Sequence, residues 1–330
     1  MTERRKNKLD MRGDVVKGQQ LEGSQPTLNS EVLNLAQARD RFVRELRIFS
    51  KATQVHHREC VKALERILRL QGIEIRDVRH LNTRLLKDHF VYYMLDEMKL
   101  KPTTVNDRIR GVRSFTKFLT AEGYLQTNIG LEIRLVREER TIIEAFSEDQ
   151  IRALLRRPDR TTFTGLRDLT IMLLFLETGI RCSELVGIRL DDVRMKEGKI
   201  LIHGKGAKQR FVPFQSKFRR ALKEYLVARG AVQTDALFCT ITGKPLYNRV
   251  VQQAIRQYAE EAHITGVRCS PHTFRHTMAK FYVLAGGDVF SLQRILGHST
   301  LDMVRLYVDL FGSDIEEQHR KFSFLENRLE

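Results

Sequence analysis

Between Ser50 and Gly72 the apolar residues Val61, Leu64 and Leu68 recur at three- and four-residue steps, a period that suits an α-helix and not a strand. Ser50-Lys-Ala-Thr53 offers capping side chains at one end, and Gly72 lies just past Leu70 at the other. Pro102 opens a second such stretch, which ends before Gly123 and turns Val105, Ile109, Val112 and Leu119 toward a core. The helical pattern runs from Leu33 to Leu125. Six Pro and 20 Gly in 330 residues also favour helices over an all-β sandwich, and 42% hydrophobic residues are too many for a disordered chain.

Each of the two helices carries a basic stripe beside its apolar one. Arg58, Lys62, Arg66 and Arg69 form the first; Asn106, Arg110, Arg113 and Lys117 share the side of the second helix opposite its core. One such stripe alone is a solvated face. Two in one small domain point to a polyanion, and the charge count agrees. Lys plus Arg number 57 against 41 Asp plus Glu, a net +16. Residues 1–140 hold 28 against 19 and the remainder 29 against 22, so both halves are positive, as contact with one long polyanion requires.

The chain divides by composition. Residues 1–28 are polar without an apolar period and read as a mobile tail, and 29–130 as the helical domain. Residues 131–145, with Arg134, Arg137, Glu138, Glu139 and Arg140, read as a linker. Ser147 and Gln150, spaced as a capping box, then restart structure in a second domain over 146–330. Cys60, Cys182, Cys239 and Cys269 show no CxxC, so neither a zinc ribbon nor a disulfide frame is expected. The apolar run Ile171 to Leu176 is far short of a membrane span, and the charged N-terminus lacks a signal core, so the expected location is the cytoplasm.

The second domain holds the chemistry. A buried helix over Leu166 to Thr178 is stopped by Gly179, and Arg181 sits in the gap before Ser183, which can cap Glu184-Leu185-Val186. Alone, Arg181 reads as satisfying the last carbonyls of the first helix; an oxyanion bound at the gap is the alternative. Lys199 to His203 reads as a strand, Gly204 to Gln209 as its turn, and Arg210 to Pro213 as the return strand. Gly204-Lys205-Gly206 lacks the spacing of a phosphate-binding P-loop, so no nucleotide is expected.

Ser270-Pro271 starts a helix on which Phe274, Met278, Phe281 and Ala285 face inward, while His272, Arg275 and His276 share another stripe. The two histidines are four apart, but Thr273 stands where a zinc protease has Glu, and Arg275 between them repels a dication. No metal is expected, and His276 reads as a structural hydrogen-bonding residue. The helix ends at Gly286-Gly287, and a short one follows that Gly297 stops before His298. Ser299-Thr300 can cap a last helix bearing Tyr307, by itself a core or interface tyrosine.

Each signal is bland alone. Their order is not: Thr178-Gly-Ile-Arg181-Cys-Ser-Glu184-Leu185, Gly204-Lys205-Gly206, His272-Thr-Phe-Arg275-His276, Leu296-Gly-His298 and Tyr307 together resemble the tyrosine recombinase, or phage integrase, family. The resemblance implies a mainly α fold with a small β-sheet or hairpin. An N-terminal helical core-binding domain would precede a mixed α/β catalytic domain in the compact Xer-like layout. It also implies a site-specific recombinase that cuts and rejoins duplex DNA through a 3′-phosphotyrosyl intermediate, with no cofactor. Arg181 and Arg275 would clamp the phosphate. Tyr307 would attack it, helped by His272; Lys205 would protonate the leaving oxygen, and His298 would bond the phosphate or buttress Tyr307. Glu184 would orient its neighbours. Arg58, Lys62, Arg66, Arg110, Arg113 and Lys117 are the expected DNA contacts.

Past Phe311-Gly312, Ser313-Asp314 can cap a segment with Ile315, Phe322 and Leu325. In this family such a segment often docks on a neighbour, which implies a homo- or hetero-tetramer on DNA. Integration or excision of a mobile element and Xer-type resolution of chromosome dimers both stay open, as does the need for a partner recombinase. Two rival readings are a type IB topoisomerase and a DNA-binding regulator or inactive accessory protein on the same scaffold.

Overall fold

The computed structural model describes residues 29–138, 144–204 and 208–297. The expected tail over 1–28, Lys205, and everything from His298 onward, Tyr307 included, lie outside the described residues. The chain forms two compact units, 1–140 and 141–330.

In the first unit α1 (Leu35–Glu45) starts at an Asn34–Gln37 capping box, and α2 (Lys51–Leu70) starts at Ser50, whose hydroxyl accepts from the Thr53 N–H. α3 (Thr83–Leu85) continues into a π-helical stretch over Leu86–Glu97, and α4 (Pro102–Ala121) begins on its proline. Val61, Leu64, Ile109, Val112 and Phe115 are fully buried where the helices meet. Gly111 permits a close crossing of α2 and α4, since a Cβ there would stand 2.3 Å from Cys60 Cβ.

One expectation about α4 fails. Its side opposite the core is not an open basic face, because the chain after α4 lies across it. Ile133 is buried and Val136 packs on the core. A chain crossing a helix brings backbone groups that need partners. Asn106, only 1% exposed, donates to the Val136 carbonyl at 2.8 Å and accepts the Val136 N–H at 2.8 Å. Arg113 donates to the Gly130 carbonyl at 3.2 Å and to the Ile133 carbonyl, which leaves it half-buried.

The second unit is built on α6 (Phe163–Thr178), a helix buried on most sides and longer at its start than the sequence suggests, because Thr162 caps it. α5 (Glu148–Leu155) leads into it from the Ser147–Gln150 capping box. After α6 come the single turn α7 (Cys182–Leu185) and an antiparallel sheet of β1 (Val193–Arg194), β2 (Lys199–His203) and β3 (Gln209–Pro213), in that order. β2 and β3 are the expected hairpin, with Ile202 opposite Arg210.

α8 (Ser216–Arg229), α9 (Asn248–Glu261), α10 (Pro271–Leu284) and α11 (Val289–Leu296) complete the unit. α6 packs against α8 and α10, and Phe146, Phe175 and Phe274 form an aromatic cluster with ring centres 5.0 and 6.0 Å apart. The inward stripe of α10 is shorter than expected. Phe274 and Met278 are buried, but Phe281 is half-buried and Ala285 exposed. No helix among the described residues is long and apolar enough to cross a membrane.

Candidate active site

The site grows from three chain ends that meet. α6 stops at Gly179, whose φ of 60° is the left-handed turn that glycine adopts without strain. A Cβ there would lie 2.6 Å from Leu296 Cδ2 and 3.2 Å from Met278 Sδ, so this turn is seated on α10 and α11. Two residues on, Arg181 caps α7. The expected cap, Ser183, lies inside that turn instead. Glu184 stands three residues after Arg181, and its carboxylate accepts the Arg181 N–H at 2.9 Å and the Arg181 Nη1 at 3.1 Å.

Glu184 is the hub. Its side chain is 5% exposed, and Arg210 on β3 holds it with a two-pronged contact, Nη1 to Oε1 and Nη2 to Oε2, each at 2.9 Å. Burial by itself would raise the Glu184 pKa. The Arg210 hydrogen bonds, the Arg181 N–H and both guanidinium charges outweigh it, and the group sits below the ordinary carboxylate value. Arg210 Nε also donates to the Ile295 carbonyl at 2.9 Å.

Arg275 lies on α10 beside this pair, 4% exposed. It donates to the Gly179 carbonyl at 2.6 Å and to the Leu296 carbonyl at 2.9 Å. The sequence therefore misassigned a task between two arginines. The end of α6 is satisfied by Arg275, while Arg181 turns to Glu184 and keeps 41% of its side chain exposed. The final carbonyls of α11 are likewise taken by two guanidiniums, Arg210 on Ile295 and Arg275 on Leu296.

His272 is exposed at the second position of α10. Partial burial lowers its pKa, and Arg275, Arg181 and Arg268 lower it further. His276, one turn on, is pushed down to about 4, by burial first and then by His272 and Arg275. Both imidazoles are therefore neutral at pH 7. Arg181, His272 and Arg275 share one electrostatic neighbourhood.

Lys205 and His298 lie outside the described residues, but their described neighbours border the hub. A Cβ on Gly204 would lie 3.8 Å from Glu184 Oε1, and one on Gly297 would meet Arg210 Cζ at 2.9 Å. Arg210 was missed as a site residue, although the signal was present. Along β3 it shares a face with buried Val212, and a charge on the inner face of a strand needs a partner.

The expected DNA contacts divide. Arg58, Lys62, Arg66, Arg110 and Lys117 are exposed, with Lys62 3.2 Å from Glu59 and Arg110 3.9 Å from Glu138. Arg113 is engaged with backbone carbonyls instead. Among the described residues one trio gathers metal-type donors: His56, Cys60 and Asp107. Burial, with Asp107 beside it, pushes the Cys60 thiol up to about 11, so at neutral pH it is a protonated packing group against Gly111.

The Phage integrase family model matches residues 144–313. Tyrosine recombinase XerC of Bacillus subtilis (strain 168) is 31% identical over 277 residues, covering 81% of this chain and 89% of its own. The chain belongs to the phage integrase family. Another member, tyrosine recombinase XerD of Pseudomonas aeruginosa, is 30% identical over 77% of this chain and 83% of its own. Two solved integrase-family structures share the fold. XerH site-specific recombinase bound to a palindromic difH substrate matches with a TM-score of 0.68 at 17% identity, over 89% of this chain and 85% of its own. A lambda integrase tetramer bound to a Holliday junction matches with a TM-score of 0.68 at 16% identity, over 86% and 80%.

Proposed function

We propose that this phage integrase family member is a site-specific DNA recombinase that uses Arg181, His272 and Arg275 to hold and activate one backbone phosphate. The family makes it an enzyme that cleaves and rejoins DNA by transesterification through a tyrosine. The observation that carries the assignment of residues is the convergence of α7, α10 and the end of α6 around the Glu184 hub.

A phosphodiester is an anion, and attack on it needs cations fixed where charge grows on the non-bridging oxygens. Arg181 supplies the exposed half of that clamp. Arg275 supplies the rigid half, with a position set by two carbonyls. Tyr307 is the proposed nucleophile. A phenol of reference pKa ~10 is protonated at neutral pH, and a neutral imidazole at His272 can accept its hydrogen bond as the proton leaves. Lys205 is the proposed acid for the departing 5′-oxygen and His298 a further phosphate donor. The phosphotyrosyl ester retains the energy of the broken bond, so another 5′-hydroxyl can displace the tyrosine without nucleotide.

Exposed Arg58, Lys62, Arg66, Arg110 and Lys117 of the first unit are proposed to bind duplex phosphates. A tetramer on a specific site, assembled through residues after Gly312, and a cytoplasmic location complete the proposal. The test is a nicked duplex built on a sequence that the chain enriches from a random pool. A covalent protein–DNA adduct should form and be lost in Tyr307→Phe. An adduct that persists in that variant, or none with wild-type protein, would overturn the reading.

A further inference from the structure

Glu184 has four acceptor sites, and all four are filled. Oε1 takes Nη1 of Arg181 and Nη1 of Arg210, and Oε2 takes the Arg181 N–H and Nη2 of Arg210. Two guanidiniums thus compete for one buried carboxylate, and Arg210 holds the matched fork. Arg181 is left with a single prong on Glu184, and among the described residues its Nε and Nη2 have no hydrogen-bond partner.

We infer that Arg210 is a positioning residue: by occupying both oxygens of Glu184 it keeps that carboxylate from closing a fork on Arg181, and so leaves Arg181 available to the phosphate. This rests on the phosphate role proposed for Arg181. Without Arg210, Glu184 would be a buried anion with two open acceptor sites. The nearest donor able to fill them is Arg181, already 3.1 Å away on one of its oxygens. Rotation of its guanidinium into the fork satisfies Glu184 and withdraws the prongs that face the substrate. The position of Arg210 is itself fixed at a third point, since its Nε holds the Ile295 carbonyl at 2.9 Å and its guanidinium abuts Gly297.

The consequence is a rescue that a merely structural arginine would not give. Arg210→Met should slow adduct formation at saturating protein by about a hundredfold, the scale of one misplaced donor, while affinity for the duplex is unchanged. Replacing the competitor as well, in Arg210→Met with Glu184→Gln, should recover about tenfold of that loss, because a neutral amide does not hold Arg181. Arg210→Lys keeps the charge without the fork and should fall between wild type and Arg210→Met.

The assay is the rate of adduct formation on the nicked, pool-enriched duplex, with duplex affinity and the melting midpoint measured on the same full-length samples. A double variant as slow as Arg210→Met or slower would overturn the inference. If Arg210→Met does not fold, Arg210→Lys with and without Glu184→Gln decides the matter by the same sign of coupling. Wild-type protein that forms no adduct would overturn the proposed function, and this inference with it. Wild-type adduct with additive variants would overturn this inference alone.

Discussion

Arg181 and Arg275 carry the same proposed chemistry, but their surroundings predict very different losses of stability. Replacing Arg275 by Ala removes the donor from two carbonyls, Gly179 at 2.6 Å and Leu296 at 2.9 Å, in a place that is 4% exposed. A hydrogen bond to a charged group contributes ~1.5–3 kcal/mol, so two lost together cost about 3–6 kcal/mol. For a unit of this size each kcal/mol moves the melting midpoint by about 2–4 °C, which makes the expected fall roughly 6–24 °C. Arg275→Lys, able to reach one carbonyl, should lose about half.

Replacing Arg181 by Ala removes one prong from a carboxylate that Arg210 still grips, at a side chain 41% exposed. That loss should stay at or below about 1 kcal/mol. Both variants should abolish the adduct, so activity cannot separate them. Thermal unfolding of the full chain followed by circular dichroism can. If the two alanine variants melt together, or Arg275→Ala stays within about 1 kcal/mol of the parent, the bracing role derived for Arg275 is wrong.

Other outcomes follow from the same geometry. His276 sits at about 4 in the folded chain against an ordinary 6.5, so the unfolded chain binds the proton more readily. Stability should therefore fall as pH drops from 6.5 toward 4, and His276→Gln should flatten that slope in urea titrations; a parent protein indifferent to pH across this window would contradict it. Arg113→Ala should destabilise by about 3 kcal/mol, because the Gly130 and Ile133 carbonyls lose their donor. Exposed Arg58→Ala should leave stability alone while lowering the salt slope of duplex binding by about 1, read from affinity against salt concentration. Gly111→Ala, with its new Cβ 2.3 Å from Cys60 Cβ, should cost about 1–3 kcal/mol in thermal melts as α2 and α4 move apart.

What could be read from sequence was local. Ser50, Ser147 and Ser270 marked their helix starts because a cap bonds within three residues, Pro102 because the first helical position needs no N–H, and Gly179 and Gly297 marked ends because the left-handed turn suits glycine. What could not be read was the identity of distant partners. Arg275 finds its carbonyl 96 residues away, and Arg210 finds Glu184 across 26. No spacing rule links such pairs. Asn106 and Arg113 were misplaced for a related reason. A helical wheel says which side of α4 faces the helical core, but the chain that later crosses the other side is invisible to it. β1, two residues long, is too short to show an alternation at all.

Two guanidiniums, those of Arg181 and Arg210, share the single carboxylate of Glu184. Those three side chains together therefore carry one positive charge more than the carboxylate balances. Such a place is destabilised by its own field until an oxyanion enters, so simple inorganic ions should compete with the duplex for it. Sulfate or phosphate in a buffer would then act as a mild inhibitor and a mild thermal protectant at once, through the same few ångströms of protein.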